Sequence, residues 1–284
     1  MQQTTLSREV ERLVEGMAAS DGAGVRLKRV LGGELQRRLD PFLMLDEFGT
    51  DDPADYIAGF PDHPHRGFET VTYMLAGRMR HRDNVGNEGL LTPGAVQWMT
   101  AGRGIVHSEM PEQIEGRMQG FQLWVNLPAA RKMIPAAYRD IAPECVPEIK
   151  PQPGVALKII SGEVDGHRGA VEGNATDVLF LDIVLEAGAT YAAAISGGHN
   201  AFVYVYAGEA GIGGRGQAVG AGTMAVLSNA PGATGATLES AAGARMILLA
   251  GRPLNEAIAQ WGPFVMNSRE EIEQAIDDYR NGRF

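Results

Sequence analysis

Apolar and polar positions alternate strictly over 121–127. Phe121, Leu123, Val125 and Leu127 take one parity, and Gln122, Trp124 and Asn126 take the other. Successive side chains of a strand point to opposite faces, so this segment predicts a strand with one face buried. Val178–Leu185, Ala201–Tyr206 and Met246–Ala250 are short, β-branched or aromatic, and bounded by Gly, which predicts buried strands of a sandwich or barrel. Two segments follow a helical period instead. Val10, Leu13, Val14 and Met17 predict a short amphipathic helix within Ser7–Met17. Ser268, with Glu271 at the capping-box position and then Ile272, Ala275, Ile276 and Tyr279, predicts a capped C-terminal helix. Pro143, Pro147, Pro151 and Pro153 punctuate the stretch 141–154, which reads as a linker.

An internal repeat lies under this pattern. Glu69–Gly77 aligns with Asn200–Gly208, superposing Tyr73 on Tyr204 and matching the Ala-Gly ends. Pro93-Gly94 before Val96 and Gly222 before Val226 form a second matching pair. Two similar β units in tandem, one on each side of the Pro-rich stretch, account for both.

Composition narrows the class. A chain of 284 residues allows two domains of about 150 residues each. With 44% apolar and 21% charged residues, each can bury a real core, which excludes a disordered tail protein. The 37 glycines show no collagen-like period and fit a chain of many turns. A net charge of −10 argues against direct contact with nucleic acid or an anionic membrane. Cys145 is the sole cysteine, so there is no internal disulfide and no cysteine-based zinc cluster. The first twenty residues lack a signal-peptide core, and no apolar run approaches the roughly 18 residues of a membrane span. A soluble cytoplasmic protein is the default expectation. Only Lys28, Lys132, Lys150 and Lys158 are lysines among 25 basic residues, beside abundant Ala and Gly, a bias that suggests a GC-rich bacterial genome.

The chemistry concentrates in two short pairs. His63 and His65 are two apart, as are His107 and Glu109, so on strands each pair aims both side chains at one face. Three imidazoles and a carboxylate make a donor set for a divalent first-row metal and leave room for water, oxygen or substrate. They favour Fe, Mn, Ni, Cu or Zn over Mg or Ca and do not choose among the five. Taken alone, either pair also describes two partly exposed histidines or a structural hydrogen-bonded pair. Both pairs flank strand-like segments and Gly turns, and that context raises the metal reading above the bland one. His81 and His167 read as surface histidines, His199 as a polar strand residue, and Trp98, Trp124 and Trp261 chiefly as packing.

These residues also carry a resemblance. His63-Pro-His65-Arg-Gly-Phe-Glu69 ending at Gly77, and Pro93-Gly94 with Gly104-Ile-Val-His107, resemble the two cupin motifs. The stretches 39–48, 60–70, 97–111, 122–127 and 262–267 are long, unusual strings similar to the pirins, a cupin family. The resemblance implies an all-β chain of two tandem cupin (jelly-roll-like) β-barrels with short flanking helices and a C-terminal helix. The expected layout is an N-terminal extension over 1–24, a metal-binding barrel over 25–142, the linker over 143–154, and a degenerate barrel with the C-terminal helix over 155–284. It further implies one divalent metal, most simply Fe2+, in the N-terminal barrel on His63, His65, His107 and Glu109. Glu69 is then left outside the ligand set, orienting an imidazole or pairing with an Arg. In the aligned second unit Ala194, Ser196, Gly235 and Thr237 stand where those ligands would be, so no second ion is expected. The implied activity is an oxidoreductase of the quercetin 2,3-dioxygenase type, opening a flavonol or related aromatic diol with O2, with Glu109 as the proton acceptor. The alternative is an iron-dependent, redox-responsive interaction or transcription co-regulator protein, which binds a protein partner and turns nothing over.

Overall fold

The alternation over 121–127 becomes part of strand Met118–Asn126, which is hydrogen-bonded on one side to Phe42–Thr50 and on the other to Phe68–Ala76. The computed structural model describes residues 6–284, so residues 1–5 of the expected N-terminal extension lie outside the described residues. The chain divides into two units, and neither is a contiguous stretch. The first comprises Met17–Gln36, Pro41–Cys145 and Leu254–Phe284, and the second comprises the segment ending at Gly16, Arg37–Asp40 and Val146–Pro253.

In the first unit, a seven-stranded antiparallel sheet runs in the order Ala137–Ile141, Val96–Thr100, Phe68–Ala76, Met118–Asn126, Phe42–Thr50, Val25–Leu31, Met17–Asp21. A four-stranded sheet in the order Phe60–His65, Ile105–Pro111, Met79–Asp83, Glu88–Leu91 forms the other wall. In the second unit, Leu157, Ile183, Val203, Leu238 and Leu248 belong to one continuous buried core. The expected strands appear there as Leu179–Leu185, Asn200–Ile212 and Ala244–Gly251.

The repeat has a structural counterpart. Tyr73 stands between Val96 and Phe121 in its sheet, and Tyr204 stands between Met224 and Ile247 in its own. Gly94 donates its N–H to the Met74 carbonyl at 2.7 Å, and Gly222 donates to the Val205 carbonyl at 2.8 Å. Both glycines take the left-handed backbone, at φ +87 and +85, that a residue with a Cβ resists.

Three expectations are corrected. No helix forms over 7–17: Val10–Glu15 pairs with Thr223–Leu227, and Met17–Asp21 pairs with Val25–Leu31. Isolated helices this short are marginal in water, and a free sheet edge offers each backbone group a partner. The supposed apolar stripe then breaks up, with Leu13 and Met17 largely exposed. The Pro-rich stretch does contain one of the crossings between units, at Cys145/Val146, but part of it is ordered as the edge strand Glu148–Gln152. Pro151 is tolerated there because an edge strand need not use every N–H. Finally, residues 254–284 belong to the unit of the histidine pairs and not to the barrel that precedes them.

Among the described residues the only α-helix is α1 (Arg269–Arg280), and the short flanking helices are single 3₁₀ turns. Ser268 and Glu271 close the reciprocal capping box. Ile272 and Ala275 bury against Phe264 and Met266, with Ile276 and Phe284 alongside. Val265 in turn buries against Leu43 and Phe68, and each large apolar side chain stripped of such cover costs about 1.5–3 kcal/mol. Truncation after Gly262 should therefore lower the melting temperature of the first unit, and an unchanged melting curve would show that this segment is not docked.

Candidate metal centre

Strand pairing builds the site. Phe60–His65 and Ile105–Pro111 lie antiparallel with His63 directly opposite His107, and His65 follows His63 on the same face. The three imidazoles form a triangle with ring centroids 4.7 Å (63–65), 4.5 Å (63–107) and 5.0 Å (65–107) apart. Each ring offers one nitrogen within 4.8 Å of the other two, the one such cluster of possible metal ligands among the described residues.

The environment suits a cation. Neither nitrogen of His65 nor of His107 has a hydrogen-bond partner, although both rings are buried. Four orphaned buried nitrogens are costly unless something binds them. Burial, reinforced by the neighbouring histidines, holds both rings well below the usual imidazole range and keeps them neutral with lone pairs free. The Pro263 carbonyl lies close to His65 and pulls weakly the other way, but outside hydrogen-bonding geometry. His63 Nδ1 lies 2.8 Å from the Pro61 carbonyl. Donating there fixes its tautomer and leaves Nε2 to ligate, the arrangement expected of a metal-bound imidazole. The residues therefore fit a first-row dication.

Glu109 stands apart from this triangle. It is buried two positions beyond His107, where the register against Phe60–His65 slips and Glu109 comes opposite Phe60. Gln122 Nε2 donates to its Oε2 at 2.9 Å, and Thr72 Oγ1 lies 3.0 Å from its Oε1. Thr72 Oγ1 is also 2.7 Å from Gln122 Oε1, and its single proton serves one acceptor at a time. The carboxylate lines the same cavity as His63 and His65.

Glu69 does not orient an imidazole. On Phe68–Ala76 the parity of Phe68, Thr70 and Thr72 faces the site, with the Phe68 ring 5.2 Å from His65, so Glu69 faces away. It lies opposite Thr100, whose hydroxyl donates to Oε1 at 2.7 Å, and burial pushes its carboxyl pKa up. His81 is not a surface residue either. Only 1% exposed and directly across from Glu109, it places Nε2 3.0 Å from Asp140 and stacks on Tyr138. His199 lies in the turn before Asn200–Ile212, not within a strand, while His167 is exposed as expected. Trp98 is buried packing, Trp124 lines the cavity against Phe68 and His65, and Trp261 is 69% exposed.

The cavity holds about 690 Å³. Its apolar lining includes Leu27, Met44, Phe48, Phe60, Met79 and Trp124, and Asp62, His63, Glu109 and Gln122 add polar groups. One polar pair was not foreseen from the sequence: Arg29 grips Asp46 through two hydrogen bonds of 2.9 and 2.7 Å at the cavity wall. In the second unit, Ala194 pairs with Gly235 as His63 pairs with His107, so the aligned positions coincide in space and carry no ligand.

Two antiparallel β units, repeated in tandem and with a histidine triangle in only one, define a bicupin. The chain belongs to the pirin family: residues 24–125 match the Pirin model, and 180–284 match the Pirin C-terminal cupin domain. It is 56% identical, over 98% of both chains, to a Pseudomonas aeruginosa protein provisionally named quercetin 2,3-dioxygenase. It is 42% identical to Homo sapiens pirin, over 98% of this chain and 94% of that one. The crystal structure of quercetin 2,3-dioxygenase from Acinetobacter baumannii superposes with a TM-score of 0.92 at 32% identity, over 98% of each chain. Among the described residues no helix is long and apolar enough to cross a membrane.

Proposed function

We propose that the first unit binds one divalent metal, Fe2+ in the working protein, through His63, His65, His107 and Glu109, and that this centre opens flavonols such as quercetin with O2. The observation that carries the reading is the cavity itself. It reaches His63, His65 and Glu109, and its roughly 690 Å³ falls within the range of about 300–1,000 Å³ typical of small-molecule sites. A sensing site capped by side chains would offer no such room. The names of the Pseudomonas and Acinetobacter relatives support the same substrate class.

A dication held by three neutral imidazoles and one carboxylate keeps about one net positive charge, which lowers the pKa of an enol or phenol and favours its anion. The protein's own groups do the rest. Glu109 accepts the substrate proton, and Gln122 and Thr72 hold its carboxylate at the cavity wall. Trp124, backed by Phe68, gives a flat ring a surface, while Leu27, Phe48 and Phe60 exclude water from it.

The test is oxygen uptake by the reduced, Fe2+-loaded protein with quercetin. Consumption of both with ring opening is expected. If no flavonol or catechol supports uptake, the redox-responsive interaction protein becomes the better account.

A further inference from the structure

Arg66 lies between His65 and Gly67, in the turn that joins Phe60–His65 to Phe68–Ala76. It offers no metal-ligating atom, yet it is a cation only 3% exposed, and a buried charge needs partners. All of them sit on two segments. Nη1 donates to Asp278 of α1 at 2.8 Å, and the guanidinium carbon lies 4.3 Å over the Phe284 ring. Nε donates to the Arg103 carbonyl at 2.5 Å, just before the strand that carries His107. The backbone is held as well: its N–H donates to the Pro263 carbonyl at 3.2 Å, and its carbonyl accepts from Val265 N at 3.0 Å.

The neighbouring residues are fitted to the same clasp. A Cβ on Gly67 would come within 2.0 Å of the Val265 carbonyl. Buried Lys132 donates from Nζ to both the Gly67 and Val265 carbonyls, at 2.7 and 2.9 Å. A Cβ on Gly104 would strike the Phe284 ring at 2.8 Å. Asn84 donates from Nδ2 to the Phe284 carbonyl at 2.9 Å and exchanges bonds with the backbone of Val106, next to His107. Residues 263–284 thus grip the chain immediately beside two of the three imidazoles.

We propose that Arg66 is a positioning residue for the metal centre, and that through it α1 sets how tightly His65 and His107 hold a cation. This rests on the three-histidine reading above. Metal ligation tolerates errors of only about 0.2 Å, so a turn released from its clasp costs affinity without losing a ligand. The hydrogen bond from Arg66, with help from Arg283 and Gln274, holds the Asp278 carboxyl down to about 2, so the pair stays charged throughout the working pH range.

The experiment is Co2+ binding by the full chain, measured by chelator competition and by the visible spectrum of the bound ion. Asp278→Asn and Arg66→Gln should each weaken Co2+ affinity about 10–100-fold and alter the spectrum, as loss of an outer-shell support does at metal sites. Arg66→Lys, which keeps the charge without the fork, should fall between them and the parent. The double variant should be no worse than the worse single, because the two residues act as one unit. Leu45→Ala, which loosens the buried face of its strand opposite to cavity-lining Met44, Asp46 and Phe48, is the control and should leave affinity within about twofold. If Arg66→Gln fails to fold, Asp278→Asn, which keeps the side-chain volume, decides. A folded Asp278→Asn that binds Co2+ like the parent with the same spectrum, or a Leu45→Ala that weakens binding equally, overturns the positioning role alone. A parent chain that binds no Co2+ overturns the histidine reading along with it.

Discussion

Replacing His107 with Ala should empty the chain of metal. The loss in affinity should far exceed the roughly 10–100-fold that removal of an outer hydrogen-bond partner costs. His107 is the corner opposite both His63 and His65, its ring centroid 4.5 and 5.0 Å from theirs. Both its nitrogens are buried without a protein partner, so the ring is placed for a ligand and for nothing else in the structure. No second site can compensate, because Ala194, Ser196, Gly235 and Thr237 occupy the aligned positions of the second unit. Metal analysis should therefore find one ion per parent chain and none in the variant. Two ions per chain, or full occupancy without His107, would refute the assignment. Glu69→Gln, on the far face of its strand, should leave occupancy unchanged.

Glu109→Gln should separate binding from chemistry. The substitution keeps the side chain's volume and its place between Thr72 and Gln122, so the three imidazoles continue to hold metal. What disappears is the proton acceptor, and loss of a placed general base costs about 10²–10⁴-fold in rate. Oxygen uptake with quercetin, expressed per bound metal, should fall by that factor. A fall no larger than the fall in occupancy would reduce Glu109 to a ligand or a packing group.

How much of this was legible depended on whether local and tertiary signals agreed. The capping box of Ser268 and Glu271 and the period-two run over 121–127 are local, and both formed as read. In the latter the polar parity proved to be the informative one, since Gln122 and Trp124 line the cavity. The histidine triangle was legible because both pairs obey the same parity rule. Neglect of that rule produced two of the misreadings. Arg80, Arg82 and Asp83 made His81 look solvated, but alternation turns Arg80 and Arg82 outward and buries His81 opposite Glu109. The same rule separates Glu69 from Thr72. The stripe of Val10, Leu13, Val14 and Met17 fits a helix well, but the distant strand Thr223–Leu227 claims the first three and Val25–Leu31 claims Met17. No local pattern announces that Leu254–Phe284 returns to the first unit, because the partners of Arg66 and Lys132 are chosen by tertiary contact.

That return bears on how the protein is made. A ribosome delivers residues 17–145 long before 254–284, so the nascent histidine-bearing unit waits through the synthesis of 146–253 with Leu43 and Phe68, the apolar partners of Val265, uncovered. Vectorial, domain-by-domain folding, the usual safeguard of two-domain chains, is closed to it. Completion of the histidine-bearing unit then becomes a late event, and a prematurely terminated product would carry every histidine of the triangle yet lack the segment that completes their unit.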